Sequence, residues 1–462
     1  MFRFIKKGVN GVFREEHDSV GSLRIPGEAY YGVNAKRAYD NFQITDSRLE
    51  PIFIESLAQV KKAGALANLK LGELKPMIGE TIIQVADELL EGKLTGDMIV
   101  DPIQGGAGTS SNMNINEIIA NRGIELLGGE KGQYHLLSPN DHVNKGQSTN
   151  DVFPTAGKLT FLKLIDQLLI VLEELADSFK EKSLAFATIQ KMGRTQLSDA
   201  VPITVGAEFK AYYTVTKRNI KRLTACKEEI RYVNMGGTAI GTGLSAHSQF
   251  SQTIIGYLRE VTGLDIAVAE DLIDSTQNVE AFGVVSDVLK TIALSSSKIA
   301  NDIRLLSSGP RTGIGELIIP ARQNGSSIMP GKINPVIPEV VTQGAFLVAG
   351  NNVTISMAIE GGQLELNAFE PVIFHKLIES FHVLTNTLAS FNEHCIKGIQ
   401  VNASRCQELL EKSTYLTTSL AEYIGYEQAA LIAKESLQLN RTVKEVALSK
   451  GISNDILVKI SK

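Results

Sequence analysis

Apolar residues along this chain recur at the three-to-four spacing of helices far more often than at the strict alternation of strands. The clearest stretch is 162–175, where Leu162, Ile165, Leu169 and Leu172 share one helical face and Leu164, Leu168, Val171 and Leu175 fill the adjacent one. A stripe that wide predicts a helix buried on most of its sides, in a bundle able to continue across subunits. The same periodicity predicts helices over roughly 208–232, 278–306, 337–359 and 368–397. At 1.5 Å per residue each rod spans about 35 to 50 Å, and together they predict a long central bundle. Before residue 148 the pattern is mixed, with short helical stretches separated by loops at 105–112 and 138–146. After 398 a smaller, charge-rich helical piece follows, punctuated by Gly425–Tyr426 and Lys450–Gly451. The expectation is a mainly α chain in three domains, 1–148, 149–397 and 398–462, without internal repeats or a strand-rich region.

Composition narrows the class. With 462 residues, 43% hydrophobic and 21% charged, the chain has material for a large core. A net charge of -5 with no basic stripe argues against nucleic acid as a partner. Cys226, Cys395 and Cys406 are odd in number and show no metal-ligand spacing, which fits a reducing compartment better than a disulfide scaffold. The basic opening MFRFIKK meets acid by Asp18 and leads into no apolar run or cleavage site, so no signal peptide is expected and cytoplasm is the default. Residues 340–359 are free of charge, yet Thr342, Gln343, Asn351, Asn352, Thr354 and Ser356 make a buried helix a better reading than a membrane span.

Candidate chemistry sits in the loops. NMGGTAIGTGLSA, 234–246, contains G-x-G-x-x-A, but a long helix rather than a strand precedes it, so it reads as a connection between bundle helices and not as a dinucleotide loop. The histidines (His17, His135, His142, His247, His375, His382 and His394) form no ligand cluster, although His375 and His382 could share a helix face. In GGAGTSSNMNINE, 105–117, Asn114 and Glu117 can serve as a helix cap and its return partner, which leaves Thr109, Ser110 and Ser111 to be explained. Hydroxyls beside free N–H groups at a helix start form an anion site as readily as a cap. QSTND, 147–151, sets Ser148, Thr149 and Asn150 before a long apolar helix, and GRTQL, 193–197, adds Thr195 and Gln196. Several polar turns, each read as preceding a long helix, suggest one shared anionic small-molecule site.

GSSIMPGKINP, 325–335, is the most distinctive loop. Its glycines and prolines exclude regular structure and fit a segment able to close over a ligand. Lys332 and Asn334 suit a carboxylate, while Ser326 and Ser327 lie across the loop. Without a histidine–aspartate partner, a serine here is a poor acyl-transfer nucleophile. An alkoxide favoured by backbone N–H groups and a lysine can act as a base.

With GTSSNMNINE, QSTNDVFPT, GRTQLSDAVP, GGTAIGTGL and GSSIMPGKINP in order, preceded by YYGVNAKRA (30–38) and followed by LELNAFEPV (364–372), the chain resembles the aspartase/fumarase superfamily over nearly its whole length. That resemblance implies a homotetramer with a twenty-helix core, each active site built from three subunits, and elimination of an amine or water from a succinyl skeleton to release fumarate. Gln196 stands where fumarases carry a histidine paired with an acid, Thr149 where they usually show a second serine, and the loop runs on as NPVIPEVV. These details are similar to the aspartate ammonia-lyase branch, although Gln196 speaks against fumarase more than for aspartase. The resemblance implies Ser326 as the base, and Thr109, Ser148, Thr149 and Ser327 as donors to the β-carboxylate. It gives Thr195, Lys332 and Asn334 to the α-carboxylate, Asn150 and Gln196 to the amino group, and no metal or organic cofactor. The alternatives are a class II fumarase or, from another class, a non-catalytic helical protein of the same fold. Malate turnover would favour the former, and the intact Ser326, Lys332 and Asn334 set argues against the latter.

Overall fold

The computed structural model describes residues 12–460, so the basic opening MFRFIKK lies outside the described residues. A hairpin of β1 (Phe13–Asp18) and β2 (Gly21–Pro26) leads into α1 (Val33–Asn41), α2 (Pro51–Lys70), α3 (Pro76–Leu90) and α4 (Thr109–Leu126). Both Pro51 and Pro76 stand at helix starts, where a missing N–H breaks no bond. The long α5 (Thr149–Ala185) is followed by the hairpin β3 (Gln190–Thr195) and β4 (Ser198–Thr204), then by α6 (Val205–Ile230). Short β5 (Tyr232–Val233) pairs in parallel with β6 (Ala267–Val268), with α7 (Phe250–Thr262) between them. Then come α8 (Asp274–Gln277), α9 (Glu280–Leu306), β7 (Leu317–Ile318), α10 (Val336–Glu360) and α11 (Glu370–Phe391). Strand β8 (Gln400–Val401) pairs with β7, and α12 (Ala403–Lys412), α13 (Leu416–Ile424), α14 (Tyr426–Leu439), α15 (Val443–Ser449) and α16 (Asn454–Ile460) finish the chain.

The fold is mainly α, and the rods expected from periodicity are α5, α6, α9, α10 and α11. The strands among the described residues are confined to four two-stranded pairs. The chain divides into two compact units. Among the described residues the first comprises 12–169, Arg222–Lys290 and Leu347–Val383; the second comprises Ile170–Lys221, Thr291–Phe346 and 384–460.

Aromatic rings organise the core of the first unit. Phe374 of α11 lies 5.0 Å from Phe153 and 5.4 Å from Phe161, both on α5, and 4.9 Å from Phe282 on α9. Most of these pairs meet edge to face, the arrangement the ring quadrupole favours. The same unit buries charge: Lys158 of α5 donates to the Tyr232 carbonyl at 2.6 Å, and Glu370, the first residue of α11, is buried with it. Burial pulls the Lys158 amine down to about 8 and pushes the Glu370 carboxyl up to about 8, each partly offset by the other's charge. In LELNAFEPV, Asn367 donates to the Ala358 and Ile359 carbonyls at the end of α10 and accepts from Phe369 N–H, joining that helix end to the start of α11.

In the second unit Phe179 of α5 packs with Phe209 and Tyr212 of α6 and with Phe391 of α11, at centroid distances from 5.7 to 6.5 Å. Helices α13 to α16 have their own apolar centre in Leu416, Leu420, Ile432, Val443, Val446 and Leu457.

Candidate active site

In the first unit the starts of α4 and α5 come together. Gly108 caps α4 at φ 89°, and a side chain there would strike the Phe153 ring of α5 at 2.4 Å, so only glycine permits the approach. Asn112, one turn into α4, donates to the Thr149 hydroxyl at 3.0 Å. Thr109 is the first residue of α4, exposed, with its hydroxyl on the Gly106 carbonyl at 2.7 Å. Ser111 is buried and taken up by Gln104, which both donates to its hydroxyl and accepts its N–H.

The capping pair expected within this segment is not formed. Helix α4 begins five residues earlier, at Thr109, so Asn114 and Glu117 lie inside it and are buried. Asn114 bonds instead to Ile99 N–H and the Asp97 carbonyl. Glu117 caps a different helix: it accepts from the N–H groups of Gly32, Asn34 and Ala35 at the start of α1, while Glu16 accepts from Val33. Its anionic form suits a helix N-terminus. This is the structural work of YYGVNAKRA, where a Cβ on Gly32 would sit 2.5 Å from the Tyr134 hydroxyl.

QSTND does behave as a cap. Ser148 N–H donates to Asp151 at 2.9 Å, and the Ser148 hydroxyl accepts from Asn150 N–H at 3.2 Å. The buried Asp151 carboxylate also takes the N–H groups of Gly236 and Thr238, so GGTAIGTGL is tied to this turn. Burial nevertheless pushes its carboxyl up to about 7. Pro154 has no N–H for the Asn150 carbonyl, and the Asn234 amide supplies the missing donor at 2.9 Å. Asn150 in turn donates to the Ala239 carbonyl at 2.7 Å, which leaves its side-chain oxygen as an acceptor.

In the second unit GRTQL proves to be the tip of the β3–β4 hairpin rather than a turn directly before a helix. Gln196 and Leu197 both take positive φ, 54° and 64°, as a two-residue hairpin loop requires, although neither is the asparagine or glycine that usually relieves it. Such strain clusters at functional sites. Behind the tip, buried Lys191 meets Glu208 at 2.8 Å and Glu316 at 2.9 Å, and Arg194 meets Glu316 at 2.9 Å. These pairs hold the strand that presents Thr195 and Gln196, both exposed.

The GSSIMPGKINP loop is closed on itself. Gly325 N–H donates to the Lys332 carbonyl at 2.7 Å, and the Asn334 amide donates to the Gly325 carbonyl at 2.7 Å. Inside this closure the Ser326 hydroxyl oxygen accepts two backbone N–H groups, from Ile328 at 3.2 Å and Met329 at 3.1 Å. Ser327 and Lys332 are exposed. Lys332 and Asn334 also line a cavity of about 830 Å³ with Arg304, Ser308 and Asn402.

The predicted residues therefore fall into three clusters: Thr109, Ser148, Thr149 and Asn150 at two helix starts, Thr195 and Gln196 at a hairpin tip, and Ser326, Ser327, Lys332 and Asn334 in one loop. The family described as Lyase matches residues 21–350, and that described as Fumarase C C-terminus matches 416–460. The chain belongs to this lyase family. It is similar to an aspartate ammonia-lyase of Bacillus sp, 48% identical over 96% of this chain and 95% of that one. It is also similar to an aspartate ammonia-lyase of Escherichia coli (strain K12), 44% identical over 95% and 92%. Among solved structures, a fumarate lyase:delta crystallin from Brucella melitensis bound to cobalt superposes with a TM-score of 0.94 at 45% identity, covering 97% of this chain and 98% of that one. A recombinant class II fumarase from Schistosoma mansoni superposes at 0.92 with 32% identity, covering 98% of each.

Sequence reading missed part of this lyase's polar interior. Lys61, on the apolar α2, is fully buried and donates to Asn144 and Gln147 at 3.0 Å each. Its amine is pulled down to about 7 by burial, with Asp151 pulling the other way. A lysine inside the run LAQVKKAGALA was the available signal. Among the described residues no group of three or more His, Cys, Asp or Glu side chains could hold a metal ion, and no helix is long and apolar enough to cross a membrane.

Proposed function

We propose that the protein is an aspartate ammonia-lyase, which reversibly eliminates ammonia from L-aspartate to give fumarate. The relatives named above support the substrate, and the pair of N–H groups on the Ser326 oxygen carries the mechanism. A serine hydroxyl is ordinarily far too weakly acidic to be present as an alkoxide at neutral pH. Two N–H donors favour the charged form, and Lys332 adds a positive charge to the same loop.

Ser326 takes a proton from Cβ of aspartate, and the electron pair moves onto the β-carboxylate as an aci-dianion. Thr109, Ser148, Thr149 and Ser327 donate to that dianion, and this stabilisation of developing charge lowers the barrier more than any other contact in the scheme. Thr195, Lys332 and Asn334 hold the α-carboxylate. The side-chain oxygens of Asn150 and Gln196 accept from the amino group. Collapse of the dianion forms the Cα–Cβ double bond, breaks the Cα–N bond and releases ammonia. The scheme uses no metal or organic cofactor.

The three clusters suit a site assembled from three subunits of a cytoplasmic homotetramer, with domains 1–148, 149–397 and 398–462. The separate apolar centre of α13 to α16 supports the last of these. The deciding assay follows fumarate by its ultraviolet absorbance with L-aspartate and, separately, L-malate. Because Gln196 cannot act as a fumarase's acid–base histidine, aspartate should be turned over far faster. Equal or greater turnover of malate would make the protein a fumarase.

A further inference from the structure

A chain of amides, half-buried at Asn144 and buried at Asn112, connects Lys61 to Thr149, and the elimination scheme above leaves it unused. Lys61 donates to the side-chain oxygen of Asn144 at 3.0 Å. The Lys61 amine is a donor here whether charged or neutral, and the side-chain oxygen is what Asn144 offers it. The Asn144 nitrogen confirms that orientation by donating to the Gln147 carbonyl at 3.1 Å. Its oxygen then also faces Asn112 and Asn116, which donate to it at 3.2 Å each.

Asn112 therefore presents its NH₂ group, with one hydrogen on Asn144 and the other on the Thr149 hydroxyl at 3.0 Å. Its own oxygen is buried without a hydrogen-bond partner among the described residues, an arrangement that favours direction over satisfaction. The Thr149 oxygen accepts from Asn112, and no protein acceptor for its single proton is present among the described residues. That proton is left for a ligand.

We propose that Asn112 is a positioning residue that fixes the Thr149 hydroxyl as a donor aimed at the substrate carboxylate, with Lys61 and Asn144 setting its direction. This rests on the reading of Thr149 as part of the aspartate site. A hydroxyl free to rotate must be oriented during the reaction, whereas one whose lone pair is already occupied meets the growing charge ready to donate. The benefit falls on the dianion more than on bound aspartate, so kcat responds more than KM.

The test is a double-mutant cycle on the full-length enzyme with L-aspartate, using Asn112→Ala and Thr149→Val. Asn112→Ala should lower kcat about 10- to 100-fold while changing KM little, short of the roughly 100- to 1000-fold cost of losing an oriented donor outright. Added to Thr149→Val, it should lower kcat no further. Multiplicative losses, or an unchanged kcat with only a lower melting temperature, would overturn the proposal. Asn112→Asp keeps the shape if the alanine variant does not fold. Its carboxylate accepts the Thr149 proton and turns it away from substrate, so a kcat near wild type would overturn the proposal equally. Wild-type protein that makes no fumarate from aspartate would instead sink the functional reading, before any variant is compared.

Discussion

Ser326 and Lys332 lie in one loop but are assigned different tasks, and substitution separates them. Ser326→Ala removes a hydroxyl whose oxygen receives the Ile328 and Met329 N–H groups. Turnover of aspartate should be abolished while affinity for a non-reacting dicarboxylate such as succinate stays within a few-fold. Lys332→Ala removes a cation proposed to hold a carboxylate, so succinate binding should weaken along with turnover. Near-normal turnover in Ser326→Ala would require another base. Both residues were legible in the sequence because Gly325, Pro330, Gly331 and Pro335 exclude every regular structure around them. Asn112 and Lys61 were not. Each lies inside a helix beside other polar residues, Ser111 and Lys62, and helical spacing alone does not say which of the neighbours faces a buried network.

Helices α6, α9 and α10 were legible to within a few residues because each repeats its apolar stripe over many turns, whereas α5 runs on to Ala185, past the stripe at 162–175, and α11 ends at Phe391, short of 397. The β3–β4 hairpin was not, since Gln196–Leu197 lacks the usual asparagine–glycine turn signal and Pro202 interrupts the second strand's pattern. The start of α4 was misplaced because Asn114 and Glu117 carry a capping spacing that Asp97 and Ile99, for the first, and the start of α1, for the second, put to other use. Packing of α5 against α11 makes a further measurable claim through Lys158 and Glu370. Glu370 is raised from 4.5 to about 8 by burial, so the folded state holds its proton more tightly than the unfolded chain. The stability it contributes is present at pH 4 and is lost as pH rises toward 8. Lys158 is lowered from 10.5 to about 8, so its contribution is lost as pH falls from 10.5 toward 8. Urea midpoints of the wild type should therefore fall between pH 5 and 8. In Glu370→Gln the fall should become shallower, and it should not vanish, because Asp151 and Glu117, both raised to about 7 by burial, still lose their contribution in this range. An unchanged slope would mean that another group governs this range.

For the molecule as a whole, α10 poses the main question. Its central residues carry no charge, which predicted a buried helix, yet in the single chain Phe346 is 67% exposed, Val353 59% and Met357 70%. With Gly350 between them these positions follow four-three-four spacing, the seam of packed helices, and nothing lies within 4 Å of where a Gly350 side chain would begin. A continuous apolar stripe of this kind on a globular chain marks a surface for association. A second copy of the chain, offering the same seam, is the occupant that the proposed tetramer supplies. Charge placed in the seam should then act on assembly and activity together. Val353→Glu leaves the described interior of either unit untouched, so helical circular dichroism should remain near wild type. Light scattering should show a species smaller than a tetramer, and aspartate turnover should fall steeply because the three clusters no longer meet. A wild-type protein that is monomeric and fully active would defeat both the tetramer and the shared site. A Val353→Glu variant that stayed tetrameric would move the interface away from this face of α10.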